Sequence, residues 1–436
     1  MIISQQRKMN LMNKQLSDIL TIHHQALNVF PYWTDDLIDL WETSIIGLFK
    51  DIQQGLPNKE FYKKLKKLSA LLNDGHTMIF LPDEIKKNLT YAPLTLTVIE
   101  NELVIYSAHK DFTSYLFEPI KKINTLTVNE FLNKITNHYW KHNINISLTM
   151  AQKNFSFIFN TSLFLIEFKN GKKMTFPFLP NQMNDSSNYT EKFNNYLTLT
   201  EHEAISIYQV SNKIIINLKH FMSDEMVAIF YKYIPEYLAC EEIIFDLRNN
   251  SGGNSGYGNE ITQAFFNSTF ETEKISTQAI EGGYIASAII LNTDNYNSKN
   301  ETDPELIKMN QMLHHQYLTS HIETNHYKKY EGLLKNKSVK ILQNDQTYSA
   351  AENFIINFSN ADRATLIGSN TAGSTGQPAL FKLKTGGCFV VTAKKVETPN
   401  GLAHHNIGIK PDIFIHDTLV DNRQRQDNTL IYALKN

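Results

Sequence analysis

The sequence predicts an α/β fold, and three observations carry that reading. From Ala204 to about Ile415, apolar strand-like runs alternate with helix-like runs, the pattern of βα units laid against one core sheet. From Leu16 to about Leu72 the apolar residues instead recur at helical spacing. Between about Tyr91 and Phe178 they come in short alternating runs, as half-buried strands do. A chain of 436 residues with 42% hydrophobic content can fill more than one core. The expected units are a helical domain at 1–77, a mixed and mainly β domain at 78–180, an α/β core at 200–420 and a tail at 421–436.

The helical unit is marked by Leu37, Leu40, Trp41, Ile45, Ile46, Leu48 and Phe49, which recur at helical spacing. It stops at Asn73-Asp-Gly-His-Thr77, a turn sequence, and Met78-Ile-Phe-Leu81 then reads as a strand. His76 stands on that junction. In the next unit Leu94–Val98 and Leu103–Tyr106 read as strands and Val128–Ile135 as a helix. Glu118–Leu132 resembles the later half of a PDZ domain, where a strand ending in Ile-Asn turns into a helix. It lacks a Gly-Leu-Gly-type loop for a peptide carboxylate, so capture of a chain terminus by strand addition is not expected.

Polar Pro180–Thr190 reads as a linker. In the core, Ile214–Ile216 and Ile243–Phe245 are strand-like, while Ser223–Leu238 and the stretch after Ser255 are helix-like. Residues from about 271 to 330, with the polar run Asn292–Glu305, interrupt the alternation and read as an excursion outside the core sheet, in the manner of a lid.

Composition narrows the function. With 42 basic against 44 acidic side chains, bulk charge offers nothing to nucleic acid or an anionic membrane. No run approaches the length of a membrane span, and the polar amino terminus is no secretory signal. As written the chain reads as cytoplasmic, and as extracytoplasmic if a signal peptide has been removed. Cys240 and Cys388 read as buried thiols, too few for a disulfide framework. Asn-X-Ser/Thr triplets such as those at Asn88 and Asn267 follow from an asparagine-rich composition. The pairs His23-His24, His314-His315 and His404-His405 lack the spacing of a metal site, so neither a metal nor another cofactor is expected. Oligomeric state has no signature in the sequence.

Two runs can do chemistry. Asp246-Leu-Arg-Asn-Asn-Ser-Gly-Gly253 follows a strand-like stretch, and its glycines let backbone N–H groups crowd round a substrate. Thr347-Tyr-Ser-Ala-Ala-Glu352 follows the strand-like Ser338–Leu342 and sets a hydroxyl where a helix begins. Ser349 is thus a candidate nucleophile. The N–H of Ala350 and that of Gly253 or Gly252 are candidate oxyanion donors. Taken singly, these features describe equally well a helix N-cap and a strand-to-helix turn.

Together with Arg363–Gly368, Thr371–Gln377 and Gly408–Ile413, the two runs resemble the tail-specific (C-terminal-processing) serine peptidases over Ile214–Ile415. The resemblance implies a ClpP/crotonase-like core, Ser349 as nucleophile, and Gly253 and Ala350 as oxyanion donors. In the lysine-dependent branch the base comes from a Thr-Phe-Gly-Lys-Gly-like turn, and here Ser374 holds the lysine's place. The branch of the tricorn core protease and the interphotoreceptor retinoid-binding proteins takes a histidine from an Asp-Gly-His-Thr-like turn, which His76 matches. That branch often carries a carboxylate three residues before the glycine of its closing turn, where this chain has His405, leaving Glu397 as a substitute acid. The implied function is endopeptidase cleavage of unstructured peptides or protein tails. Two alternatives stand beside it: a weak or inactive homologue that binds peptide or an apolar ligand, and a crotonase-type acyl-CoA enzyme.

Overall fold

The structure is a computed structural model and describes residues 2–181, 196–281 and 303–436. The chain begins with three helices, α1 (Ile2–Val29), α2 (Asp35–Gln53) and α3 (Asn58–Ala70). Thr34 caps α2 by accepting the Leu37 N–H, and Asp35 and Asp36 favour the positive end of the helix. Trp41, Ile45, Leu48 and Ile52 then recur on one buried face. After α3 the chain turns through residues 73–77 into β1 (Met78–Phe80) and the short α4 (Asp83–Lys86).

A hairpin of β2 (Leu94–Ile99) and β3 (Glu102–Ala108) follows. Beyond it lie β4 (Ile120–Ile123), β5 (Leu126–Thr127), α5 (Val128–Thr136), α6 (Ile144–Ala151), α7 (Phe155–Phe159), β6 (Leu163–Phe168) and β7 (Lys173–Pro177). The four strands make one sheet in the order β5-β4-β6-β7. The strand-turn-helix resembling a PDZ domain is β4 to α5, closed by the reciprocal cap of Thr127 and Glu130.

The helical and mainly β segments share one core: Trp41, Phe61, Tyr62, Phe131, Phe155, Phe164, Phe176 and Phe389 belong to a single buried apolar cluster. Phe389 comes from the far end of the chain. It lies on β17 (Cys388–Thr392), which pairs with β1 on one side and β16 (Pro378–Lys382) on the other.

The second half is built on seven strands: β8 (Leu197–Glu201), β9 (Ile205–Val210), β10 (Lys213–Leu218), β11 (Glu242–Asp246), β14 (Ser338–Gln343), β15 (Thr365–Gly368) and β19 (Ile413–Phe414). Their order is β19-β15-β14-β11-β10-β9-β8, parallel from β10 to β19 and antiparallel at the β8-β9 edge. Helices α8 (Glu225–Lys232), α9 (Ile234–Ala239), α10 (Ser255–Gln263) and α12 (Ala350–Ser359) bury Phe230, Tyr237, Ile261, Phe354 and Phe358 against one face, where Phe245 meets them. α11 (Pro304–Leu313) lies outside this layer's sequence, in the 271–330 excursion. Strands β12 (Phe270–Gln278) and β13 (Leu318–Asn325) of that excursion leave the core sheet and join β18 (Lys395–Glu397) in a separate one, order β13-β12-β18. Most of the polar run Asn292–Glu305 and of the linker Pro180–Thr190 lies outside the described residues.

The carboxyl end differs from a tail. α13 (Leu419–Gln424) and α14 (Asn428–Lys435) dock there, and Leu430 and Ala433 pack on Ile215, Ile244, Leu342 and Ile367 across the second face of the sheet. The sequence hides this because a two-turn helix has little periodicity to read. A buried ion pair fixes the docking: Arg248 bonds Asp246, two residues before it, and reaches both oxygens of Asp427 at 2.7 and 2.8 Å. Removing one partner leaves buried charge uncompensated. Arg248→Met is therefore expected to lower stability by about 3–5 kcal/mol in chemical denaturation, whereas Lys121→Met, at the exposed pair with Glu167, leaves it nearly unchanged.

Candidate active site

Ser349 joins β14 to α12 in a conformation few serines adopt, with φ +60° and ψ −126°. Such strain persists where neighbours over-determine it. Tyr348 N–H donates to the Asn250 carbonyl at 3.0 Å, and Ser349 N–H donates to the Ser374 carbonyl at 3.2 Å. Thr347 Oγ1 donates to the Leu247 carbonyl at 3.0 Å and accepts the Asn344 N–H at 2.9 Å. The serine is thereby clamped between the 247–253 segment and the 371–374 segment.

The two glycines divide their work, which corrects their pairing as interchangeable donors. Gly252 N–H is already bound to Asn250 Oδ1 at 2.8 Å. Its φ is +86°, and a Cβ there would lie 2.6 Å from Ser349 Cβ and 2.7 Å from Ala350 N, so Gly252 makes room for the serine turn. Gly253 pairs with Phe221 in parallel register: Phe221 N–H donates to the Gly252 carbonyl and Asn254 N–H to the Phe221 carbonyl. In a parallel ladder the residue between those two bonds points its own N–H the other way. Gly253 N–H thus faces away from Phe221. Ala350 N–H opens α12, where no intrahelical acceptor exists, at the positive end of the helix.

His76 comes from the turn between α3 and β1. Asp74 Oδ1 accepts the His76 N–H at 2.9 Å, the Thr77 hydroxyl at 2.9 Å and the Thr392 hydroxyl. Gly75 lies where a Cβ would meet Trp140 at 2.9 Å and Ser374 Cβ at 3.0 Å. Asn406 ties the turn further, accepting from Trp140 Nε1 at 2.7 Å and donating to the Asn73 carbonyl at 3.1 Å. So held, the His76 ring lies flat on Tyr348, with centroids 4.6 Å apart. Its Nε2 is 2.9 Å from Ser349 Oγ and its Nδ1 2.9 Å from Ser374 Oγ.

Burial pushes the His76 pKa down to about 4, with Asp74 pulling it up and His405 pushing it down. The ring is neutral at pH 7, so one nitrogen donates and the other accepts. If Ser349 donates to Nε2, then Nδ1 carries the proton and donates to Ser374 Oγ. The residue standing in the place of a lysine base thus contacts the histidine instead.

Glu352 was not singled out from the sequence, although the Ser349-x-x-Glu352 spacing of a capping box was visible. It is wholly buried, and its oxygens accept from Thr371 Oγ1 (2.5 Å), Gly373 N (2.8 Å), Ser374 N (3.0 Å) and Ser349 N (3.3 Å). Burial raises its pKa to about 7, against the pull of those donors. One carboxyl group therefore holds the serine turn and the Ser374 turn in fixed relation. Glu397, the substitute acid, instead pairs with Lys274 and Lys395, each at 3.1 Å, and is no partner of His76. His405 stacks on Tyr32 with centroids 3.9 Å apart and turns Nδ1 toward Asp74 Oδ2 at 3.8 Å. Among the described residues no group of three His, Cys, Asp or Glu is placed to hold a metal ion, and no helix is long and apolar enough to cross a membrane. Cys240 is buried and Cys388 half-buried, both as free thiols.

Two outcomes follow from this packing. Gly252→Ala forces a Cβ into the serine turn, so the variant should melt at a lower temperature than the parent in a thermal scan. Burial also depresses the pKa values of His138 and His404 to about 4, alongside His76. Groups depressed from 6.5 in the unfolded chain contribute stability that is present above that value and lost as pH falls toward 4. Calorimetry from pH 7 to pH 4 should show the His138→Gln variant losing less of its melting temperature than the parent, once each is referred to its own value at pH 7.

A sequence profile of Peptidase family S41 matches residues 213–415. A carboxyl-terminal-processing protease of Synechocystis sp. is 34% identical over 85 residues, 20% of this chain and 20% of that protein, so the match spans about a fifth of the relative's length. Among solved structures, mature CPAF complexed with lactacystin superposes with a TM-score of 0.69 over 97% of this chain and 98% of that one, at 15% identity. The photosystem II D1 C-terminal processing protease does so with a TM-score of 0.50 over 92% and 93%, at 13% identity. At these identities the structures speak for the fold, and they carry the α/β expectation across nearly the whole chain. The match to Peptidase family S41 thus falls on residues 213–415, the part of the chain that holds Ser349, Ala350 and Gly253.

Proposed function

We propose that the chain is a serine endopeptidase acting on unstructured peptides or protein tails, with Ser349 as nucleophile and His76 as general base. The 2.9 Å separation of His76 Nε2 and Ser349 Oγ carries this reading, being within reach for direct proton transfer. As Ser349 Oγ bonds the scissile carbonyl carbon, its proton passes to Nε2 and the carbonyl oxygen becomes an oxyanion. Gly253 and Ala350 N–H groups supply the donors for it. The imidazolium then gives its proton to the leaving amine as the C–N bond breaks. Water cleaves the resulting ester by the same route, losing a proton to Nε2, and Ser349 recovers its hydroxyl.

The reading of a weaker, ligand-binding homologue draws on one observation: the His76 Nδ1 partner is the Ser374 hydroxyl rather than a carboxylate. A hydroxyl orients the ring but adds no charge to stabilise the imidazolium, so turnover slower than that of an acid-assisted triad is expected. An acyl-CoA reaction of crotonase type does not generally require the serine-histidine contact.

Labelling with a fluorophosphonate probe, read by mass spectrometry, tests the assignment. Wild type should be modified at Ser349, Ser349→Ala not at all, and His76→Ala at a rate at least about a hundredfold lower. The wild-type rate should be level from pH 6 to 8 and fall as pH drops toward 4, because His76 is a base only when neutral. Folded wild type that resists the probe would leave the ligand-binding reading in its place.

A further inference from the structure

The acid expected beside His76 is missing from position 405, yet a carboxylate lies close by on another segment. Asp74 is two residues from His76, and its side chain is fully shielded from solvent. Oδ1 accepts three donors, one of them the His76 main-chain N–H. Oδ2 has no hydrogen-bond partner, and neither has His405 Nδ1, 3.8 Å away. A buried anion with one oxygen unpartnered is costly unless positive charge can appear near it. Two histidines are placed to supply that charge: His76 when it takes the serine proton, and His405 when acid protonates it against the burial that lowers its pKa.

We infer that Asp74 is the positioning carboxylate of the site, acting on His76 through the main chain and through space, and that His405 competes with His76 for the field of that one anion. The inference rests on the Ser349–His76 reading and assigns its missing acid. Catalytic contact remains with His76 and Ser349, since Asp74 has no hydrogen bond to the ring.

The surroundings leave few other charges to consider. His76 faces Ser349, Ser374 and Tyr348, with Asp74 and His405 acting through space. His405 faces Asp74 and Tyr32, with His142 and Lys395 adding positive field. Glu352 is engaged by the serine and Ser374 turns. The two polar partners of His76 thus act in opposite senses: Asp74 favours the imidazolium and His405 opposes it.

Opposed signs make the test sharp. Asp74→Asn keeps an oxygen for the three donors and removes the charge. His405→Gln removes the competing positive field from a half-buried turn. The rate of fluorophosphonate modification at Ser349 is measured from about pH 2.5 to 9 for wild type and both variants, with a melt at each pH to confirm folding. In Asp74→Asn the acid limb should move down by about one pH unit and the plateau should fall about tenfold. In His405→Gln the limb should move up. A purely structural role would slow labelling without moving either limb. Limbs that stay in place, or that move in the same direction, overturn the inference. If Asp74→Asn does not fold, the His405→Gln limb decides the matter: an upward shift supports the inference and its absence refutes it. Wild type that is not labelled at Ser349 would sink the underlying assignment, and the inference with it.

Discussion

Pairing of β1 with β17, Met78 against Val390 through Phe80 against Cys388, brings residues more than 300 positions apart into one sheet, and the site depends on it. The strand carries the His76 turn at its start. Thr392, at the end of β17, donates its hydroxyl to Asp74, and its N–H donates to Thr77 Oγ1 at 3.2 Å. The same sheet contributes Phe389 to the large apolar cluster of the first half, so burial of that cluster and placement of the histidine are one event. A small three-stranded sheet at the junction of two cores thus sets the distance between His76 and Ser349.

On the other side of the site, placement comes from backbone geometry that side chains over-determine. Ser349 holds a positive φ because Glu352, Ser374 and Asn250 engage its neighbours and its own N–H from three directions. Gly252 admits that turn by having no Cβ, while Gly253 is turned by its register with Phe221. Burial of His76 and Glu352 within this frame is what displaces their pKa values, one down and the other up. Both shifts favour the uncharged forms, as expected where water is excluded.

Much of this was legible in the chain itself. Strand-helix alternation announced the α/β core, and the helical repeat around Trp41 announced the first unit, because both patterns arise locally from the geometry of the elements. Ser349, Gly253 and Ala350 could be picked out because turn glycines and a serine at a helix start have local signatures, and His76 because its Asp-Gly-His-Thr turn resembles that of the histidine branch. The two helices at the carboxyl end could not, being too short for periodicity and held by the Arg248–Asp427 pair across 179 residues.

What the sequence determined by itself, then, was the class of fold and the residue types at the candidate site's turns, since propensity, periodicity and turn chemistry act between near neighbours. Tertiary structure alone decided which groups meet. Ser374 lies on the histidine and Glu397 on two lysines, Gly252 makes space where Gly253 presents an N–H, and Asp74 confronts His405. Those outcomes turn on separations of a few ångströms between segments distant in the chain, and hydrogen bonds and fields vary steeply over just that range.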